Sequence, residues 1–176
     1  MTLESGGDAP TFPEAMDRAA RGLALWEAGE ISDEVLADRV AHLVASRDGA
    51  RGFFVVSLTS DSPLMDRLPE PLVLQLRTAG EGVVDLTVRN LAMSTAMALH
   101  HQRSGDTPQQ VRSERVRERS SELLRQLDPH RVKERLEVLL QAAAQATGPD
   151  VAFLDRWGYD SEQREAISEA AMAVAQ

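Results

Sequence analysis

Residues 83–103, VVDLTVRNLAMSTAMALHHQR, decide how the chain is read. At 100° per residue, Val84, Val88, Leu91, Ala92, Thr95, Ala98 and Leu99 fall on one face of a helix of about 20 residues. Leu86, Met93 and Met97 fall roughly opposite. A helix apolar on two sides is expected to be covered on two sides. Positions 90–99 carry no charge, and small residues recur at a spacing of four, Ala92 with Ala96 and Ser94 with Ala98. Small side chains let a neighbouring helix come close. The stretch is therefore the expected centre of an all-α bundle.

Caps and stripes extend the pattern in both directions. Thr11 and Pro13 open a first helix striped by Phe12, Met16, Ala19, Leu23 and Trp26, with Gly29 as its stop. Ser32 opens a second. There Ile31 and Leu36 form a hydrophobic staple, Asp33 and Glu34 sit in the first turn, and Leu36, Val40, Leu43 and Val44 face inward. Asp48-Gly49 reads as its end. The run Phe53-Phe54-Val55-Val56-Ser57-Leu58 carries a strand signal, and Leu72-Val73-Leu74-Gln75-Leu76, after Pro71, is its one candidate partner. A two-stranded sheet alone is marginal. Two short buried helices are the preferred reading, and a minor β-hairpin pairing 53–58 with 72–76 is the alternative.

Downstream, Thr107-Pro108 opens a helix whose apolar side is Val116, Leu123, Leu124 and Leu127. Asp128-Pro129 opens another, with Val132, Leu136, Leu139, Leu140 and Ala143 at helical spacing. Gly148-Pro149 breaks the chain before a short segment ending at Gly158. Asp160 with Gln163 resembles a capping box for a last helix bearing Ile167, Ala170, Ala171 and Val174. The expectation is a flexible leader at 1–10, then a single all-α domain over 11–176, a bundle of seven to eight helices.

Composition narrows the function. A net charge of −9 opposes nucleic acid and anionic lipid. Residues 1–48 hold 10 acids and 4 bases, residues 107–147 hold 6 and 8, and residues 148–176 hold 6 and 2, giving −6, +2 and −4. The absence of cysteine excludes disulfides, thiolate metal sites and Cys nucleophiles, and fits a reducing cytoplasm. Lys133 is the sole lysine against 18 arginines, which reads as a GC-rich bacterial genome. No apolar run is long enough to span a membrane, and MTLESGGDAP lacks the basic start and apolar core of a signal peptide.

No stretch carries a specific catalytic, nucleotide-binding or metal-binding signature. His100 and His101 are adjacent, so on a helix they point about 100° apart and do not clamp one metal. Neither Glu-x-x-His nor His-Glu-x-x-His occurs. Together with Asp85, Arg89 and Asn90 on the same helix, they are the candidate ligand or buried polar site. Asp85 and Arg89 stand one turn apart and can pair. The glycines Gly80-x-Gly82 lack the rest of a dinucleotide loop, and Gly49-x-x-Gly52 is too short a match to an RNA-clamping loop.

Arg112, Arg115 and Arg119 stripe one helix beside Glu114, Glu118 and Glu122. This is a solvated ion-pair face or a dock for an acidic protein. Trp157 and Tyr159 flank Gly158, where they pack a turn or anchor a partner. The expected function is a non-catalytic, cytoplasmic adaptor or assembly protein with a protein partner, with no metal and no cofactor. The alternative is a helical pocket protein holding haem, a pigment or another apolar ligand.

Overall fold

The structure, a computed structural model, describes residues 9–175. Of the expected leader, positions 1–8 lie outside the described residues, and Pro10 is buried. The fold is an all-α helical bundle. Among the described residues there are nine α-helices and one 3₁₀ turn: α1 Phe12–Glu27, α2 Asp33–Val44, α3 Arg47–Thr59, the turn Pro63–Asp66, α4 Glu70–Ala79, α5 Glu81–Ser104, α6 Thr107–Gln126, α7 Pro129–Gln145, α8 Val151–Arg156 and α9 Ser161–Ala175. Contacts gather the chain into two compact units that meet in sequence after Val83, inside the first turn of α5.

The caps follow the sequence closely. Thr11 and Glu14 exchange side-chain and backbone bonds in a full capping box, and Ser32 caps α2. Gly29, with φ 75, ends the first helix in the left-handed conformation that glycine tolerates. Asp160 and Gln163 form the reciprocal box that opens α9, with N···O distances of 3.0 and 2.9 Å. The cap of α6 is Asp106 rather than Thr107, its carboxylate accepting from the Gln109 amide.

In the first unit, α3 packs chiefly on α1, and α2 packs on α3 and α4. Residues 53–58 are helical. Phe53, Phe54, Ser57 and Leu58 are buried while Val55 is 43% exposed. That is the i, i+1, i+4, i+5 rhythm of a helix; a half-buried strand would have buried alternate residues. Residues 72–76 are likewise helical, so both members of the alternative hairpin lie in helices. Asp48-Gly49 does not end α2. The helix stops at Val44, and Ser46 caps α3 through the Gly49 amide at 3.2 Å, which places Asp48 and Gly49 in the first turn of α3.

Gly49-x-x-Gly52 thus has a packing role. A Cβ at Gly52 would meet the Ala15 Cβ at 2.5 Å and the Met16 amide at 2.9 Å, so this glycine lets α3 lie directly on α1. At Gly49 the obstacle is the Leu43 carbonyl, across the tight α2–α3 corner.

In the second unit, α7 packs on α9, α6 on both α7 and α9, and α8 on α7. Leu123, Leu124, Leu136, Leu139, Leu154, Ile167 and Ala171 fill its core. From Val84 onward α5 buries Val84, Thr87, Val88, Leu91, Ala92, Ser94, Thr95, Ala96 and Ala98. The Ser94 and Thr95 hydroxyls are satisfied within the helix, both donating to the Leu91 carbonyl. The expected coverage on two opposite sides is corrected. Met97 is 37% exposed, and Leu86 and Met93 are half-buried. The buried surface is one broad arc, extended by Ser94 and Ala96 rather than by the methionines. Small residues let a neighbour wrap further round the helix, which hydropathy spacing does not register.

The glycines make the packing testable. In an open helix, Gly→Ala stabilises by up to about 1 kcal/mol. Gly82 has nothing within 4 Å of a built Cβ, so Gly82→Ala should raise the midpoint of chemical denaturation. Gly52→Ala should instead cost about 1–3 kcal/mol through overpacking against backbone. A Gly52→Ala protein as stable as the parent would contradict the α1–α3 contact.

Candidate functional site

Arg135 of α7 sits at the centre of the second unit's ionic contacts, its side chain 14% exposed. Its Nη1 and Nη2 donate to the two carboxylate oxygens of Asp150, at 2.5 and 3.1 Å, and its Nε donates to Asp85 Oδ1 at 2.9 Å. Asp85 Oδ2 accepts from Arg89 Nε at 3.1 Å, and the Arg89 guanidinium lies 5.1 Å from the centre of the Phe153 ring. Asp150 is almost fully buried, so a doubly bonded cation is what makes its charge tolerable. It precedes α8 in the capping position, yet its side chain makes no cap bond and turns to Arg135 instead.

Five residues on three helices and the α8 cap therefore lock α8 to α7 and α5. The expected Asp85–Arg89 pair forms. Asn90 is half-buried and stands outside the network. Both Asp85 oxygens are already engaged by arginines, so the cluster acts as a clamp. His100 is exposed and His101 half-buried, their rings edge to face at 5.3 Å at the other end of α5. Among the described residues no three His, Asp or Glu side chains group as a metal site.

The clamp fixes one end of a turn, 155–160, and a second set of bonds fixes the other. Arg164 Nε donates to the Tyr159 carbonyl at 2.9 Å, and its Nη2 to Asp155 at 2.7 Å. Arg103 holds both Asp160 oxygens at 2.6 and 3.3 Å, and reaches Glu162 at 3.1 Å. That arginine, with the backbone donors of the cap, keeps the Asp160 carboxyl below its usual range. The Gln163 amide reaches across to the buried Ala96 carbonyl at 3.1 Å.

Gly158, with φ 66, reverses the chain between the two aromatics and sends them opposite ways. Trp157 is 56% exposed. Tyr159 is 7% exposed, and burial pushes its hydroxyl up to about 12. The braced turn thus directs the Tyr159 ring into the protein and leaves Trp157 as the exposed member of the pair.

The arginine stripe is unevenly exposed. Arg112 is exposed and Arg115 half-buried, but Arg119 is 3% exposed. Helix α6 packs on α7 and α9, and its buried arc, Arg119, Ser120, Leu123 and Leu124, is wider than the apolar stripe alone. Both Arg115 and Arg119 are engaged in interactions within the protein. Arg135 and Asp150 were missed by sequence reasoning. Arg135 adjoins Leu136 on the apolar side of α7, and Asp150 follows a Gly-Pro break. A charge abutting a stripe was the one signal present.

These observations define an all-α protein whose second unit presents a braced aromatic turn. The chain belongs to the family described as Uncharacterised conserved protein UCP020893, whose model matches residues 11–174. No curated protein and no solved structure matches the chain.

Two measurements check this geometry. Asp150→Ala leaves Arg135 buried beside Asp85 alone, and should cost about 3 kcal/mol in chemical denaturation. A loss below about 1 kcal/mol, the range of an exposed pair, would mean that the clamp is solvated. Tyr159 is the only tyrosine, so tyrosinate absorbance reports it alone. The fold favours the protonated phenol, so this contribution to stability is full below pH 10 and is lost as pH rises towards 12. A native midpoint near 12, falling to about 10 in denaturant, is expected. A native midpoint at 10 would place the hydroxyl in water.

Proposed function

We propose that the protein is a non-catalytic, protein-binding module of the bacterial cytoplasm, and that Trp157 is the anchor of its interface. The observation that supports this is the exposed indole on a turn braced from both sides. Tryptophan is a large, rigid side chain and among those most enriched at the energetic centres of interfaces. Exposing it to water costs free energy that a partner's apolar pocket would recover. Bracing the turn lowers the ordering cost of binding. The compartment and origin are supported by the absence of cysteine and the arginine-rich composition. In addition, among the described residues no helix is long and apolar enough to cross a membrane.

An acidic partner surface is the form this reading takes at α6, where Arg112 and Arg115 remain as candidates. Arginine is suited to bidentate contacts with a partner's carboxylates. The rival, a haem or pigment pocket, draws no support from the concavity on α1 and α2, which is lined mainly by charged side chains.

Trp157→Ala tests the reading, because its side chain lies outside the core and stability should hold. Co-purification from the native host should recover a protein retained by the parent and lost with Trp157→Ala. With that protein isolated, affinity should fall at least tenfold. In a Trp26→Phe background the single remaining indole should shift its emission to the blue on binding. A partner retained equally by both proteins would place the interface elsewhere.

A further inference from the structure

Residues 1–48 hold ten acids and only four bases, yet three of those bases meet at one concavity. Arg18 and Arg21 of α1 face Arg39 and His42 of α2 across a cavity of about 460 Å³, with Asp38 and Leu43 completing its lining. Arg18 and Arg21 stand three residues apart on α1, as Arg39 and His42 do on α2, so each pair projects from one side of its helix. Between Arg21 and Leu23, Gly22 is buried, and a Cβ there would meet Leu36 Cδ1 at 3.4 Å. The two helices therefore run close together where the arginines emerge.

Carboxylates stand nearby in sequence, but none closes on these arginines. Glu14 stands one turn before Arg18 and attracts it through space, but its carboxylate is held by the Thr11 amide at 2.9 Å as part of the capping box. Asp17 stands one turn before Arg21. Among the described residues, none of Arg18, Arg21 and Arg39 has a carboxylate oxygen within 4.0 Å. His42 Nδ1 lies 2.8 Å from the Asp38 carbonyl, which can only accept, so Nδ1 carries the proton. Three guanidiniums against one carboxylate, in the most acidic part of the chain, make a local positive field.

We propose that this concavity binds a small phosphorylated ligand, a phosphomonoester with a hydroxylated body. Guanidinium forks match phosphate oxygens in pairs, and several donors together neutralise a dianion. The Asp38 carboxylate can accept only from a donor, which suits a hydroxyl on the rest of the ligand. The volume falls in the range of small-ligand sites, roughly 300–1,000 Å³, and exceeds the need of phosphate alone. Nucleic acid is disfavoured by the overall charge of −9.

The test is an amide-resolved NMR titration of the full chain with ribose 5-phosphate, inorganic phosphate and ribose, alongside Arg21→Gln/Arg39→Gln. Ribose 5-phosphate should move resonances of α1 and α2 around Arg18, Arg21, Arg39 and His42. It should bind at least tenfold more tightly than inorganic phosphate, and ribose should not bind. The double variant, whose exposed side chains leave the fold intact by circular dichroism, should lose at least tenfold in affinity. Four results would each overturn the proposal: no shift at millimolar ribose 5-phosphate, equal binding of inorganic phosphate, shifts spread over the protein's other arginines, or unaltered binding by the double variant. Preferential occupation of the groove by a single-stranded oligonucleotide or by polyglutamate would overturn it as well.

Discussion

The second unit depends on keeping the Asp150 charge out of water. A carboxylate this deeply buried is costly unless a cation meets it with good geometry. Arg135 supplies that geometry with two parallel bonds, and Asp85 then shares the guanidinium's remaining donor. Replacing all the members with apolar residues of matching shape would keep the stability, because buried ion pairs roughly break even against good packing. What the ionic version adds is position. Helix α8 has only six residues and buries just Phe153 and Leu154 within it, too little to set its own orientation. The clamp and the Arg89–Phe153 stack define where it lies, and hence where the following turn points.

Most of the architecture was legible because it is written in caps and in 3.6-residue stripes. Thr11, Ser32, Asp128 and Asp160 each announce a helix by a side chain of the right type at the right offset. The 53–58 segment was ambiguous because Phe, Val and Leu suit either a buried strand or a buried helix. The deciding facts lay upstream, in the Ser46 cap and in two glycines that fit only a helix pressed on its neighbours. Asp48-Gly49 misled for the same reason: Asp-Gly signals a turn by local preference, while here tertiary packing requires a glycine in a helix.

The site was less legible, since it depends on which arc of each helix is covered. Arg119 reads as a surface arginine from its own helix and is buried by packing that its own helix does not announce. Tyr159 and Trp157 look equivalent in sequence and differ sevenfold or more in exposure, because Gly158 reverses the chain between them. Arg135 is attributable to no motif at all. Its partners lie 15 and 50 residues away, and one sequence without covariation does not reveal such pairs.

The arginines divide by what the fold has done with them. In a chain of 28 acids and 19 bases, a carboxylate is easily found, and Arg51, Arg89, Arg103, Arg125, Arg131, Arg135 and Arg164 each have one. Those pairs range from buried clamp to exposed i, i+3 contact, and they tie structure together or merely solvate it. Arg18, Arg21 and Arg39 belong to neither kind. Grouping them raises their mutual repulsion, and one of the acids best placed to relieve it, Glu14, is held in the helix cap and acts on Arg18 only through space. A fold selected only for stability would spread such charges apart. Their convergence on one concavity is therefore a cost that a bound anion would offset, and it sets this groove apart from the solvated faces elsewhere on the chain.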